Sequence, residues 1–147
     1  MNHEDLNAAE QLVGARKTIL IVLFIPSVAR DGTTPTDQER WVEEALMTFG
    51  RLFGGATAFP RARGVWRDDE RAGQLVFDEV VVMHSYVKEA LLAKGAGAPD
   101  PFAELGAFCR RLGRDTNQGE VGVVIDNQYI AFEPPFSEAE NEQEQKP

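Results

Sequence analysis

Two periods of apolar residues run along the chain. Thr18–Pro26 (TILIVLFIP) is short, rich in branched side chains and apolar at both alternating sets of positions. That pattern predicts a central strand, ended by Pro26. A loop over Ser27–Pro35 follows, with the turn pair Asp31-Gly32. Thr36-Asp-Gln-Glu39 has the spacing of a capping box. Trp41, Val42, Ala45, Leu46, Phe49, Leu52 and Phe53 then recur at helical spacing, and Gly54-Gly55 stops the run. A helix over 36–53 is expected.

The period returns to two in Ala56–Trp66, where Pro60 predicts an edge position or a bulge. Arg67–Gly73 is a charged turn, and Gln74–His84 forms the other arm of the hairpin. Ser85–Lys94 is expected to be a short helix, and Lys94–Pro99 (KGAGAP) a link. Asp100-Pro101 suits a helix start, with Phe102, Leu105, Cys109 and Leu112 as its apolar stripe. Val121–Asp126 and Tyr129–Phe132 read as a last strand pair around a tight turn. The order predicts an α+β fold of ferredoxin-like, split βαβ type. It has an antiparallel sheet, two main helices on one face and a small C-terminal hairpin.

Helices on one face leave the other face to be explained. Leu20, Val22 and Phe24, like Val76, Val80 and Val82, are apolar where a solvated face is polar. The second face is therefore expected to be covered, in the first instance by a second copy in a two-fold dimer. The Ser85–Lys94 segment and an N-terminal arm containing Leu6–Val13 are the alternatives within the chain.

Composition changes this picture little. The chain has 147 residues, 43% hydrophobic and 27% charged, as in an ordinary globular domain. Residues 1–17 read as an arm, 18–132 as one α+β domain and 133–147 as an acidic, disordered tail with five Glu and one Lys. The net charge of −9 disfavours nucleic acid as a partner. The longest apolar run, Ile19–Ile25, is far short of the roughly 20 residues that span a bilayer, so no membrane is expected. Met1–Glu10 lacks a basic leader, and the single cysteine allows no internal disulfide, so a cytoplasmic location is expected.

Residues 49–83 carry a spaced pattern: Phe49-Gly50, Phe53-Gly-Gly-Ala-Thr57, Gly64-Val-Trp66, Gly73-Gln-Leu75 and Glu79. About a quarter of the chain thus resembles small uncharacterised bacterial families with a G-x-T, G-x-W, glycine-turn and Glu hairpin. The resemblance implies a small ferredoxin-like fold and no particular activity.

Candidate chemistry concentrates on the 57–79 hairpin. Arg61, Arg63 and Arg67 beside Trp66 suit a small anionic ligand, since a guanidinium fork binds carboxylate or phosphate through two bonds. The competing reading is mutual neutralisation with Asp68, Asp69 and Glu70 at the tip, which is favoured. Asp78 and Glu79 point to opposite faces of an apolar strand, so one of them needs a partner or a raised pKa. A structural ion pair with Arg63 or Arg67 is favoured over an acid–base role. His84 ends the strand and is read as structural, with proton transfer the alternative. Cys109 is read as core. No cofactor and no metal are expected: two His and one Cys make no zinc set, and no phosphate-binding fingerprint is present. Asn117-Gln118-Gly119 is either a turn or a polar clamp at a pocket.

The sequence thus favours a non-catalytic, homodimeric binding or interaction protein. The alternative is a dimeric ferredoxin-like enzyme acting on a small organic molecule in a pocket between sheet and helices. It would use Glu79 and His84 for proton transfer and Arg63 and Trp66 for placement. A third reading, a metal-dependent nuclease, would rest on Asp31 and the arginines.

Overall fold

The computed structural model describes residues 18–91 and 100–137. The element order is β1 (Thr18–Ile25), α1 (Gln38–Phe53), β2 (Thr57–Asp68), β3 (Gln74–Lys88), α2 (Pro101–Asp115), β4 (Val121–Ile125) and β5 (Gln128–Phe132). The strands form one five-stranded antiparallel sheet in the order β2-β3-β1-β4-β5. The α+β architecture and the C-terminal β4–β5 hairpin follow the sequence reading.

Alternation along the strands decides what is buried. Ile21, Leu23 and Ile25 of β1, Val81, Met83 and Val87 of β3, and Val121 and Val123 of β4 form one face. They pack on Trp41, Ala45, Phe49 and Phe53 of α1 and on Leu105, Phe108, Cys109 and Leu112 of α2. Each fully buried large side chain contributes about 1.5–3 kcal/mol.

Several boundaries differ from expectation, each for a local reason. The capping box does not form. Thr36 is buried, and its hydroxyl donates to the Pro26 carbonyl at 2.7 Å, closing the neck of the preceding loop. Asp37 takes the N-cap place in a left-handed conformation without a side-chain bond. The Asp100 cap does form, accepting from the Phe102 N–H at 2.9 Å. The expected Ser85 helix is strand instead, up to Lys88, followed by a single 3-10 turn over Glu89–Leu91. Thr18, Ile19 and Leu20 of β1 need pairing partners there and find them in Lys88, Val87 and Tyr86. Residues 92–94 of that segment and the Leu6–Val13 arm lie outside the described residues. The bulge expected at Pro60 appears as a register shift between Phe59 and Ala62. Past Phe132 the chain stays in contact with the fold: Phe136 is buried against Gly113, where an added Cβ would meet its ring within 2.7 Å.

Candidate functional site

The sheet face opposite the helices carries a cavity of about 500 Å³. Cross-strand pairing explains its composition, because directly opposed residues share a face. Phe24 opposes Val82, Ala62 opposes Val80, Gly64 opposes Asp78, and Trp66 opposes Val76. On the other flank Val22 opposes Val124, and Val124 opposes Tyr129. Phe24, Trp66, Asp78, Val80, Val82, Gly122 and Tyr129 thus line one concavity, closed at one side by Gln118, Gly119 and Glu120.

The Tyr129 position depends on a missing side chain. Gly122 sits inside β4, and an added Cβ there would come within 2.6 Å of the Tyr129 ring. The phenol therefore lies flat across the strand and donates to Glu120 Oε2 at 2.5 Å. Partial burial and the adjacent carboxylate both raise the Tyr129 pKa, so the phenol keeps its proton and acts as a donor. Glu120 Oε1 takes no hydrogen bond from the described residues.

Asp78 is fixed from the opposite side. Its Oδ1 accepts from the Ser27 N–H at 2.9 Å and from the Ser27 hydroxyl at 2.5 Å. The same hydroxyl accepts from the Glu79 N–H at 3.2 Å. The strand β3 is thereby stitched to the end of β1. Asp78 Oδ2 takes no hydrogen bond from the described residues, and the side chain is half-buried in the cavity wall.

The loop after β1 leaves the cavity wall at Pro26 and packs beside it, with Arg30 near Gly119 and Gly32 near Val76. Asp31 accepts from the N–H groups of Thr33 and Thr34 at 2.8 Å, and from the Thr34 hydroxyl. These bonds hold its carboxyl well below the usual carboxylate range. Gly32, at φ 78, packs its backbone over Val76, where a Cβ would come 3.2 Å from the valine methyl. The Arg30 N–H donates to the Asn117 carbonyl at 2.9 Å, and its guanidinium pairs with Glu70. Gln118 donates to the Val28 carbonyl at 2.9 Å. The loop is tied at both ends and braced in the middle.

The residues singled out in the sequence distribute unevenly. Arg63, Trp66 and Arg67 lie along the cavity on the edge strand β2. By alternation the two arginines leave the sheet on the side away from Trp66, and Arg67 bonds Asp69 at 2.6 Å. Arg61 stands at the bulge and pairs with Glu79 at 3.3 Å, outside the cavity. Glu79 takes an arginine as expected, though a different one. Glu79 and His84 have opposite parity on β3 and leave the sheet on opposite faces, so they form no acid–base pair. His84 lies between Phe59 and Tyr86, with ring centroids 4.8 and 5.3 Å away, and lines a second cleft beside the end of α1. Asp31 is spent on its own loop. Among the described residues no group of three His, Cys, Asp or Glu side chains could hold a metal ion. Cys109 is buried in the core, where desolvation pushes its thiol up to about 12. Among the described residues no helix is long and apolar enough to cross a membrane.

Sequence reasoning missed Glu120, Gly122 and Tyr129, and placed the pocket between sheet and helices instead of on the far face. A signal was present. A glycine inside an apolar strand marks a close approach by another group, and Gly122 is such a glycine. Gln118 and Gly119 do line the cavity, as the clamp alternative had it.

Comparison of the sequence with family models and with characterised proteins gives no match. The fold has counterparts among solved structures. A phage SAM lyase in complex with S-methyl-5'-thioadenosine superposes with a TM-score of 0.60 at 19% identity, over 84% of this chain and 95% of that one. A phage SAM lyase in the apo state gives 0.51 at 19% identity, over 82% and 92%. This chain shares their fold. That finding goes against the expectation of a non-catalytic binding protein, since both neighbours with this fold are enzymes.

Proposed function

We propose that the chain is an enzyme that binds S-adenosylmethionine on the open face of its sheet and cleaves it at the sulfonium, releasing S-methyl-5'-thioadenosine. The observation that carries this reading is the cavity itself. It combines a size suited to a nucleoside, aromatic walls from Phe24, Trp66 and Tyr129, and two carboxylates fixed by protein donors. It occurs on a fold shared with a SAM lyase over nearly that enzyme's whole length.

The chemistry asks little of the protein. When the bond between sulfur and the amino-acid arm breaks, its electron pair stays on sulfur and the sulfonium becomes a neutral thioether. The arm carbon is refilled from the arm's own electrons, by loss of an adjacent proton or by closure of its carboxylate. The protein's task is to bend and hold the arm, a matter of orientation. Trp66 offers a face for the base, and Asp78 and Glu120 offer acceptors for hydroxyl or ammonium groups.

The direct test is incubation of the purified chain with S-adenosylmethionine, followed by chromatography and mass spectrometry. Accumulation of methylthioadenosine with a four-carbon product supports the reading; elimination and ring closure give isomers of equal mass, which proton NMR separates by the vinyl signals that only the elimination product carries. Unchanged substrate overturns it.

We also propose that the sheet is of split βαβ type extended by β5, a reading supported by the position of β3 between β1 and β2. The exposed aromatic residues Phe59, Tyr86 and Tyr129 share the cavity face, and their apolar surface favours self-association there. Light scattering on the full chain tests this: a mass equal to one chain removes it.

A further inference from the structure

We propose that the cavity sorts its ligands by charge, with Asp78 and Glu120 holding the cationic sulfonium form and releasing the neutral thioether that cleavage leaves. This rests on the reading of the chain as an enzyme of S-adenosylmethionine.

A sulfonium has no N–H or O–H to donate. It is held by negative charge and by aromatic faces. The cavity supplies both and little else. Asp78 stands on β3 and Glu120 immediately before β4, and each carboxylate is anchored through one oxygen, to Ser27 and to Tyr129 respectively. The second oxygen of each is without a donor among the described residues. Anchoring fixes where the negative charge sits, so no reorganisation accompanies binding. Trp66, Phe24, Val80 and Val82 line the same cavity and give it apolar walls beside the carboxylates.

The cations nearby are otherwise engaged or aimed elsewhere. Arg30 is paired with Glu70. Arg67 is paired with Asp69 and, with Arg63, leaves β2 on the other side of the sheet. Asp78 and Glu120 are therefore the charged residues that stand within the cavity, while Arg63 and Arg67 line only its β2 edge. Breaking the carbon–sulfur bond puts the electron pair on sulfur and cancels the ligand's sulfonium charge. The product keeps its base and ribose contacts but loses the charge attraction, which favours its departure.

Calorimetry on the full chain tests this with three probes. They are S-methyl-5'-thioadenosine, S-adenosylhomocysteine, and the uncleaved analogue of S-adenosylmethionine in which a carbon-borne amine replaces the sulfonium. The last two share the amino-acid arm and differ in charge at the sulfur position. The wild-type chain is expected to bind the amine analogue about tenfold more tightly than S-adenosylhomocysteine. Asp78→Asn and Glu120→Gln, which keep shape and remove charge, should each shrink that ratio. Equal affinities in the wild-type chain overturn the charge proposal while leaving the adenosyl reading intact. So does a ratio that survives in both variants. Failure of all three probes to bind overturns the adenosyl reading and this proposal with it.

Discussion

The phenol of Tyr129 occupies the space a side chain at position 122 would fill, and its hydroxyl reaches Glu120 only because that space is empty. Gly122→Ala should therefore act as a site mutation more than a fold mutation. Alanine is compatible with a strand, but the ring must lift off β4 and its bond to Glu120 must break. Overpacking of this kind costs about 1–3 kcal/mol. Thermal unfolding should show a loss of that order, with a larger relative loss of ligand affinity. Pairing Gly122→Ala with Tyr129→Ala should restore stability and leave affinity low.

Ser27 and Asp78 join the end of β1 to β3 by two bonds to one carboxylate oxygen. Ser27→Ala removes the hydroxyl and keeps the N–H, so a loss of about 1 kcal/mol in stability is expected. Asp78→Ala removes the carboxylate altogether and should reduce turnover far more than Ser27→Ala does. Denaturant titrations and initial rates on the two variants check the order; equal effects on turnover would place Asp78 in a purely structural role.

The two tryptophans report on different places. Trp41 is 2% exposed between the helices and the sheet, whereas Trp66 lines the cavity. Methylthioadenosine should quench only the Trp66 emission, and Trp66→Phe should abolish the ligand-dependent change while retaining the Trp41 signal. Replacement by Ala should weaken binding by about 1–3 kcal/mol if a base stacks on the indole. A ligand response that persists in Trp66→Phe would move the base elsewhere.

Burial moves the Cys109 thiol from its ordinary value of 9.0 up to about 12. Between those values the unfolded chain has released the proton and the folded chain still binds it. Stability must then fall as pH rises through that window. Tyr129, also raised, acts in the same direction at the upper end. Urea midpoints measured from pH 8 to 11 should decline, and less steeply in Cys109→Ala. A thiol reagent at pH 8 should label the native chain slowly and the unfolded chain at once.

The sequence made the elements legible where one period dominated. The α1 stripe from Trp41 to Phe53 and the Asp100-Pro101 start of α2 needed no tertiary information. Ser85–Lys88 was misread because Ser85 resembles a cap locally, whereas its hydroxyl donates to the Gly55 carbonyl and its backbone pairs with β1. The apolar character of both sheet faces predicts a covered second face, whereas the cavity that occupies part of it depends on which side chains meet across the strands and is not written in that pattern. Glu79 and His84 attracted notice because they are titratable. Tyr129 and Glu120 did not, because their meeting depends on the β4–β5 register and on the blank left by Gly122.

The cavity draws its walls from β1, β2, β3, β4 and β5, so its lining spans Phe24 to Tyr129. No fragment of the chain contains it, and a ribosome that has not yet released β5 carries no binding site. A ligand lodged there spans the sheet from its β2 edge to its β5 edge. Unfolding from either edge must first expel it, and saturation at a hundred times Kd adds about 2.7 kcal/mol against doing so. Ligand-dependent protection of β2 and β5 together, in amide exchange, would be the signature of a molecule that serves as the last crosspiece of its own container.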